Sequence, residues 1–110
     1  MTRISRASVG SGKRVQMFPG IWRTTLCYDD DSMLCHFSLE KGSSIPLHKH
    51  DAAQNGYVVK GRVRFLFEFG SFEAGAGDGY LFEGGKMHGS EVLEDCELLE
   101  CFTPMRPEYK

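Results

Sequence analysis

Short apolar runs of period two, separated by glycine-rich or acidic turns, extend over most of this chain. The clearest run is Met33 to Glu40, where Met33, Cys35, Phe37 and Leu39 share one face. Side chains alternate between the two faces of a strand, so this period predicts a half-buried strand. We find no window with a helical period. About eight to ten short strands are therefore predicted, which is typical of an all-β sandwich or barrel.

The chain has 110 residues and is predicted to form a single domain, residues 1–110. Residues 1–19 are predicted as an N-terminal arm and first strand, and residues 104–110 as a C-terminal tail after Pro104. Further predicted strands are Ile21–Tyr28, 54–60, 62–69, 72–74 and 80–82. In the strand 62–69, Val63, Phe65, Phe67 and Phe69 are expected to share an apolar face. Residues 88–93 and 96–103 are predicted to form the last hairpin.

Composition and charge exclude several classes of function. Lys and Arg total 13 against 15 Asp and Glu, a formal net charge of −2, and no basic run occurs, so neither a nucleic-acid nor a membrane partner is expected. No apolar stretch approaches the roughly 20 residues that span a bilayer, and the polar N-terminus does not read as a secretory signal. The four cysteines form no Cys-x-x-Cys pair, which favours buried thiols over a disulfide or soft-metal cluster. We predict a cytoplasmic protein.

Three of the four histidines belong to one constellation. His48 and His50 are placed at the start of a predicted strand, where period two directs both imidazoles to one face. Gln54 has the same parity, and His88 arrives from a distant strand after Gly84 and Gly85. Three imidazoles and one oxygen donor suit one divalent transition metal, with nickel, zinc, iron, manganese and cobalt all open. Neutral ligands leave the charge of the metal uncompensated, which favours binding an anion or polarising an oxygen.

The spacing around these residues resembles the two cupin motifs. Gly42, five residues, His48-x-His50, three residues, Gln54, six residues and Gly61 resemble the first motif. Gly77-Asp78 followed by Gly85-x-x-His88 resembles the second. Gln54 replaces the glutamate of most members, while Glu83 and Val92 replace the usual proline and asparagine. The resemblance implies a double-stranded β-helix, the RmlC-like jelly-roll barrel of cupins.

Other segments resemble one subfamily, the small pectin-degradation cupins that linearise 4,5-unsaturated uronates. These segments are Pro19-Gly20-Ile21-x-Arg23, Gln54-x-Gly56-Tyr57-Val58 and Phe102-x-Pro104-x-Arg106-x-Glu108-Tyr109. The resemblance implies His48, His50, Gln54 and His88 as metal ligands, a small sugar-acid substrate and a homodimer. The subfamily signature of an acid, one residue, Phe, three residues and Arg falls on Glu100, Phe102 and Arg106, with Glu100 in place of the usual aspartate.

The residues themselves indicate the roles of this signature. Glu100 alternates with Leu98 and Phe102 on one strand face. If that face points into the barrel, the carboxyl of Glu100 is partly desolvated, as a general acid or base requires. Otherwise Glu100 lies at the rim of the sheet. Arg106 is predicted to bind a substrate carboxylate. Phe102 is expected in the core or against the sugar, and Tyr57 either packs or donates its hydroxyl to the pocket. His36 matches no motif and is expected to be packed or on the surface.

The sequence therefore predicts a metal-dependent enzyme that opens and tautomerises a 4,5-unsaturated uronate from pectin or alginate breakdown. Glu100 would carry the proton and Arg106 would hold the carboxylate. One alternative is a metal-dependent oxygenase or lyase that acts on another small carboxylate. An oxygenase would contain redox-active iron and consume oxygen. The other is a non-catalytic cupin that binds a small sugar acid, which would gain stability from ligand without turnover.

Overall fold

Ten strands form most of the regular structure in this computed structural model, which describes residues 4–110. They are β1 Arg14–Phe18, β2 Ile21–Tyr28, β3 Met33–Leu39, β4 Ser44–His48, β5 Ala53–Lys60, β6 Arg62–Phe67, β7 Gly70–Gly75, β8 Gly79–Phe82, β9 His88–Val92 and β10 Cys96–Thr103. A short 3-10 helix, Pro107–Tyr109, follows β10. The predicted all-β class and the number of strands are confirmed.

The strands form two antiparallel sheets whose apolar faces enclose the core. The larger sheet has the order β1-β2-β3-β10-β5-β8, and the smaller has the order β4-β9-β6-β7. The period-two face predicted for β3 is confirmed, because Met33, Cys35, Phe37 and Leu39 are all buried. β10 lies between β3 and β5, so its inward residues are at the centre of the larger sheet. Glu100 in the middle of β10 lines the same cavity as His48 at the end of β4 and His88 at the start of β9.

Three expectations about the strands are wrong. Residues 88–93 and 96–103 do not form a hairpin, because β9 lies in the smaller sheet and β10 in the larger. Phe69 does not share the face of Phe67, since β6 ends at Phe67 and Phe69 is 92% exposed in the following turn. The His48-x-His50 pair does not begin a strand: His48 ends β4, which the sequence did not reveal, and His50 lies in the loop before β5.

The cysteines and the helical content agree with the sequence analysis. All four cysteines are free thiols, and burial raises the pKa of both Cys35 and Cys96 to about 11. The thiols of Cys35 and Cys96 are therefore protonated at neutral pH. These two cysteines are buried as expected, whereas Cys27 and Cys101 are half-buried. Within residues 4–110 no helix has the length and apolar character needed to cross a membrane.

Candidate metal centre

Three histidines converge between the two sheets. His48 at the end of β4 is opposite His88 at the start of β9 in the antiparallel pairing of these strands. His50, two residues beyond His48, completes the group from the loop. One ligand atom of each imidazole lies within 4.8 Å of the corresponding atoms of the other two. Among the residues that the structure describes, these three form the one group of His, Cys, Asp or Glu side chains arranged to hold a metal.

Backbone carbonyls set the orientation of two of the imidazoles. Nδ1 of His48 is 2.9 Å from the carbonyl oxygen of Pro46, and Nδ1 of His88 is 3.1 Å from that of Lys86. A carbonyl only accepts, so each Nδ1 carries the proton and each Nε2 keeps its lone pair. Nε2 of His88 is buried without a hydrogen-bond partner. A lone pair in this condition is what a bound metal ion would satisfy.

Burial favours the neutral imidazole of His50 and of His88, which is the form that binds metals. Desolvation lowers the pKa of His88 to about 4, and it also lowers the pKa of His50. The ring of Phe82 stacks on that of His88 with 4.8 Å between centroids and 11° between planes. The donor set and its protonation therefore fit a divalent transition metal.

Gln54 supplies the oxygen donor beside the histidines. It is buried on the inward face of β5, with Oε1 3.2 Å from Nε2 of His50. In the metal-free protein a proton on this Nε2 donates to Oε1. Transfer of that proton to Nδ1, which keeps the imidazole neutral, leaves a nitrogen and an oxygen lone pair directed to the same space, as a shared metal ion requires.

Glu100 is 5% exposed on β10, next to Gln54, so it lies inside the protein and not at the rim. Its Oε2 accepts hydrogen bonds from Nε2 of Gln54 and from the hydroxyl of Tyr80, both at 2.5 Å. Desolvation raises the pKa of Glu100, and the two hydrogen bonds oppose that shift. A carboxyl in this environment holds a proton closer to neutral pH than an exposed one, which suits proton transfer.

The C-terminal segment closes one side of the same cavity. The Arg106 guanidinium carbon lies 4.0 Å from the ring centroid of Tyr109 and 5.2 Å from that of Phe102. Nε of Arg106 donates to Oε1 of Glu108 at 3.0 Å. The cavity measures about 50 Å³, room for a metal ion and a few water molecules. Its wall includes His48, Gln54, His88, Glu100, Phe102 and Arg106.

Comparison with known proteins agrees with this geometry. The profile of the cupin domain matches residues 35–102. The chain belongs to the cupin family. It is 32% identical over 92 residues to the pectin degradation protein KdgF of Dickeya dadantii (strain 3937), a match that covers 82% of this cupin and 84% of that protein. The resemblance to the pectin-degradation cupins is thereby confirmed.

Solved structures confirm the cupin barrel. KdgF from Halomonas sp. superposes with a TM-score of 0.91 at 25% identity, covering 98% of this chain and 100% of that chain. The oxalate decarboxylase of Lactobacillus farciminis, solved as a formate complex, matches with a TM-score of 0.81 at 25% identity. That match covers 98% of this cupin but 35% of the decarboxylase chain.

Two predicted positions lie away from the cavity. Tyr57 is 49% exposed, because its odd position on β5 faces outward where Gln54 faces inward, so the structure does not bring it to the pocket. His36 is buried on the outer face of β3 and its Nε2 is 3.0 Å from Oε1 of Glu97. The expectation that His36 is packed and not part of the metal set agrees with this position. Phe102 is both a core residue and a wall of the cavity.

Sequence reasoning missed three residues of this cupin's site. Tyr80 contacts Glu100, and burial together with the Glu100 charge raises the pKa of the phenol, so it remains a hydrogen-bond donor. The ring of Tyr109 contacts two guanidinium groups, since the guanidinium carbons of Arg23 and Arg106 lie 4.2 Å and 4.0 Å from its centroid. Tyr80 lies two residues before Phe82 on a predicted strand, and this shared face was the signal that Tyr80 points inward. Arg23 and Tyr109 belong to segments that resemble the pectin-degradation subfamily, but the sequence assigned neither of them a role in the site.

Proposed function

We propose that this cupin uses one divalent transition metal to open the ring of a 4,5-unsaturated uronate and convert it to the linear keto form. The observation that carries the proposal is the buried carboxyl of Glu100 at the same cavity as the histidines and Arg106. The kinship with a protein named for pectin degradation supports a uronate as the substrate. The outcome is an isomerisation, so no oxidant or reductant is consumed.

His48, His50, Gln54 and His88 would hold the metal. When bound, the metal supplies a positive charge that four neutral ligands leave uncompensated and that stabilises developing negative charge on substrate oxygen. The buried position of Gln54, His88 and Glu100 strengthens this electrostatic effect relative to water.

Glu100 carries the proton in the proposed reaction. Its ionised form takes the proton from the anomeric hydroxyl while the bond between C1 and the ring oxygen breaks, which forms the aldehyde and leaves an enolate at C5. Glu100 then delivers the proton to C4, and C5 becomes a ketone. Among the described residues, Gln54 and Tyr80 are the hydrogen-bond donors to Glu100 and both bind Oε2, so Oε1 is the oxygen available for this transfer.

Arg106 would bind the uronate carboxylate. Its Nε is already paired with Glu108, which leaves the two terminal nitrogens for the substrate. The cavity is smaller than a sugar ring, so binding would require its wall to move outward. Phe102 and Tyr109 then provide apolar walls that exclude water.

The proposal includes a homodimer formed through the outer face of the larger sheet. That face exposes Tyr57, Val59 and Leu81, three sizeable apolar or aromatic side chains on two neighbouring strands. Sedimentation equilibrium tests this pairing. A dimer in the parent that Val59→Lys converts to a monomer supports it, and a monomeric parent contradicts it.

The reaction itself is tested by following the absorbance of the conjugated enoate of 4,5-unsaturated galacturonate. Metal-loaded protein, metal-free protein and buffer are compared under the same conditions. The proposal expects rapid loss of absorbance with the metal-loaded protein alone. Equal rates in all three samples would refute it.

A further inference from the structure

We propose that Tyr80 is a positioning residue that fixes the metal-binding oxygen of Gln54 by holding Glu100 in place. This inference deepens the proposed metal site and rests on it. The chain of contacts runs from the Tyr80 hydroxyl to Oε2 of Glu100, and from that oxygen to the Gln54 amide. Tyr80 and Glu100 are both buried.

Sheet register explains how Tyr80 reaches Glu100 from two strands away. β5 lies between β8 and β10, and Gly56 on β5 pairs with Tyr80 on one side and with Glu100 on the other. A Cβ atom at Gly56 would overlap Cζ and the hydroxyl of Tyr80. The missing side chain therefore leaves the space through which the phenol crosses β5 to the carboxylate.

The carboxylate in turn decides which end of the Gln54 amide faces the histidines. Nε2 of Gln54 donates to Oε2 of Glu100, so the NH2 group of the amide faces the carboxyl group. The carbonyl oxygen is then directed toward His50, at 3.2 Å from its Nε2. A flipped amide would present two N–H groups to the metal and repel it. Side chains that orient metal ligands typically change metal affinity by about 10- to 100-fold when they are mutated.

The test uses Co²⁺ as the metal probe and contains no uronate. Co²⁺ affinity is measured against a competing chelator, and the visible spectrum of the bound ion reports its ligand geometry. Tyr80→Phe removes only the hydroxyl, and Gly56→Ala displaces the ring from the side of β5. Tyr57→Phe makes the same chemical change on the outer face of the same sheet, away from the cavity, and is the matched control for metal binding.

We expect Tyr80→Phe to bind Co²⁺ at least about tenfold more weakly than the parent, with an altered spectrum. Gly56→Ala should reproduce both effects, and Tyr57→Phe should match the parent. The inference would be overturned if Tyr80→Phe kept the Co²⁺ affinity and the spectrum of the parent. This includes the case in which Gly56→Ala binds Co²⁺ more weakly, with an altered spectrum, while Tyr80→Phe does not. Failure of the uronate reaction leaves this result unaffected, whereas a parent that binds no Co²⁺ would overturn the metal site and this inference together.

Discussion

Replacing Gln54 with glutamate places a second carboxylate beside Glu100 in the interior. Nε2 of Gln54 and Oε2 of Glu100 are 2.5 Å apart, and both side chains are buried. The favourable donor–acceptor contact therefore becomes a contact between two acceptors. Two carboxylates this close do not both ionise readily, so the pair is expected to retain one proton.

The expected loss of stability in the metal-free protein depends on pH. Two full charges about 3 Å apart at an effective dielectric constant of about 20 repel by roughly 5 kcal/mol. Retaining a proton instead costs about 1.4 kcal/mol for each pH unit above the ordinary carboxyl pKa of 4.5. We therefore expect Gln54→Glu to lower the free energy of unfolding by about 1 kcal/mol near pH 5 and by up to about 5 kcal/mol near pH 8.

Urea unfolding of the metal-free parent and variant at both pH values measures this loss. Gln16→Glu is the matched control, because it makes the same substitution at an exposed position of β1 and should have little effect at either pH. A Gln54→Glu variant whose stability relative to the parent is the same at both pH values would refute the contact between these two side chains.

Three further predictions concern the proton carrier, the anion site and a buried histidine. Glu100→Gln should abolish turnover at saturating metal while the metal remains bound, because an amide does not exchange the proton; turnover at the parental rate would remove Glu100 from the mechanism. Arg106→Lys should raise KM on the order of tenfold with a smaller change in kcat, because an ammonium group cannot bind a carboxylate through a planar fork. Arg64→Lys, on an exposed ion pair, is its control, and an unchanged KM in both would contradict that role. Burial lowers the pKa of His88 to about 4 from an ordinary value of 6.5, so between these values the unfolded chain binds a proton that the folded chain does not. The metal-free parent should therefore lose stability relative to His88→Ala as pH falls through that window, and a difference independent of pH in denaturant titrations would contradict this.

The sequence predicted the features of the fold that depend on local alternation. Inward residues of β3 and β10 were identified because period two is visible within each strand. The false hairpin between β9 and β10 arose because local pattern does not say which sheet a strand joins. β4 was missed because its alternation is short and it contains Pro46, a residue that usually argues against a strand.

In the candidate site, too, residues close in sequence were predicted and contacts between distant strands were not. The candidate metal ligands His48, His50 and Gln54 were recognised because they are close in sequence and their spacing matches a family motif. The contact between Tyr80 and Glu100 depends on the register of three strands and on the gap at Gly56, which no single segment shows. Tyr57 was named as a candidate for the pocket because it follows the motif, although its odd parity relative to Gln54 already indicated an outward position.

Proton NMR of 4,5-unsaturated galacturonate is the measurement that tests the proposed reaction most directly. The vinyl proton at C4 is followed with metal-loaded parent, with His88→Ala treated with the same metal, and without protein. The proposed reaction predicts that this signal disappears much faster with the parent than in either control, while signals of the linear keto product appear. Decay of the vinyl signal at the same rate in all three samples would contradict it.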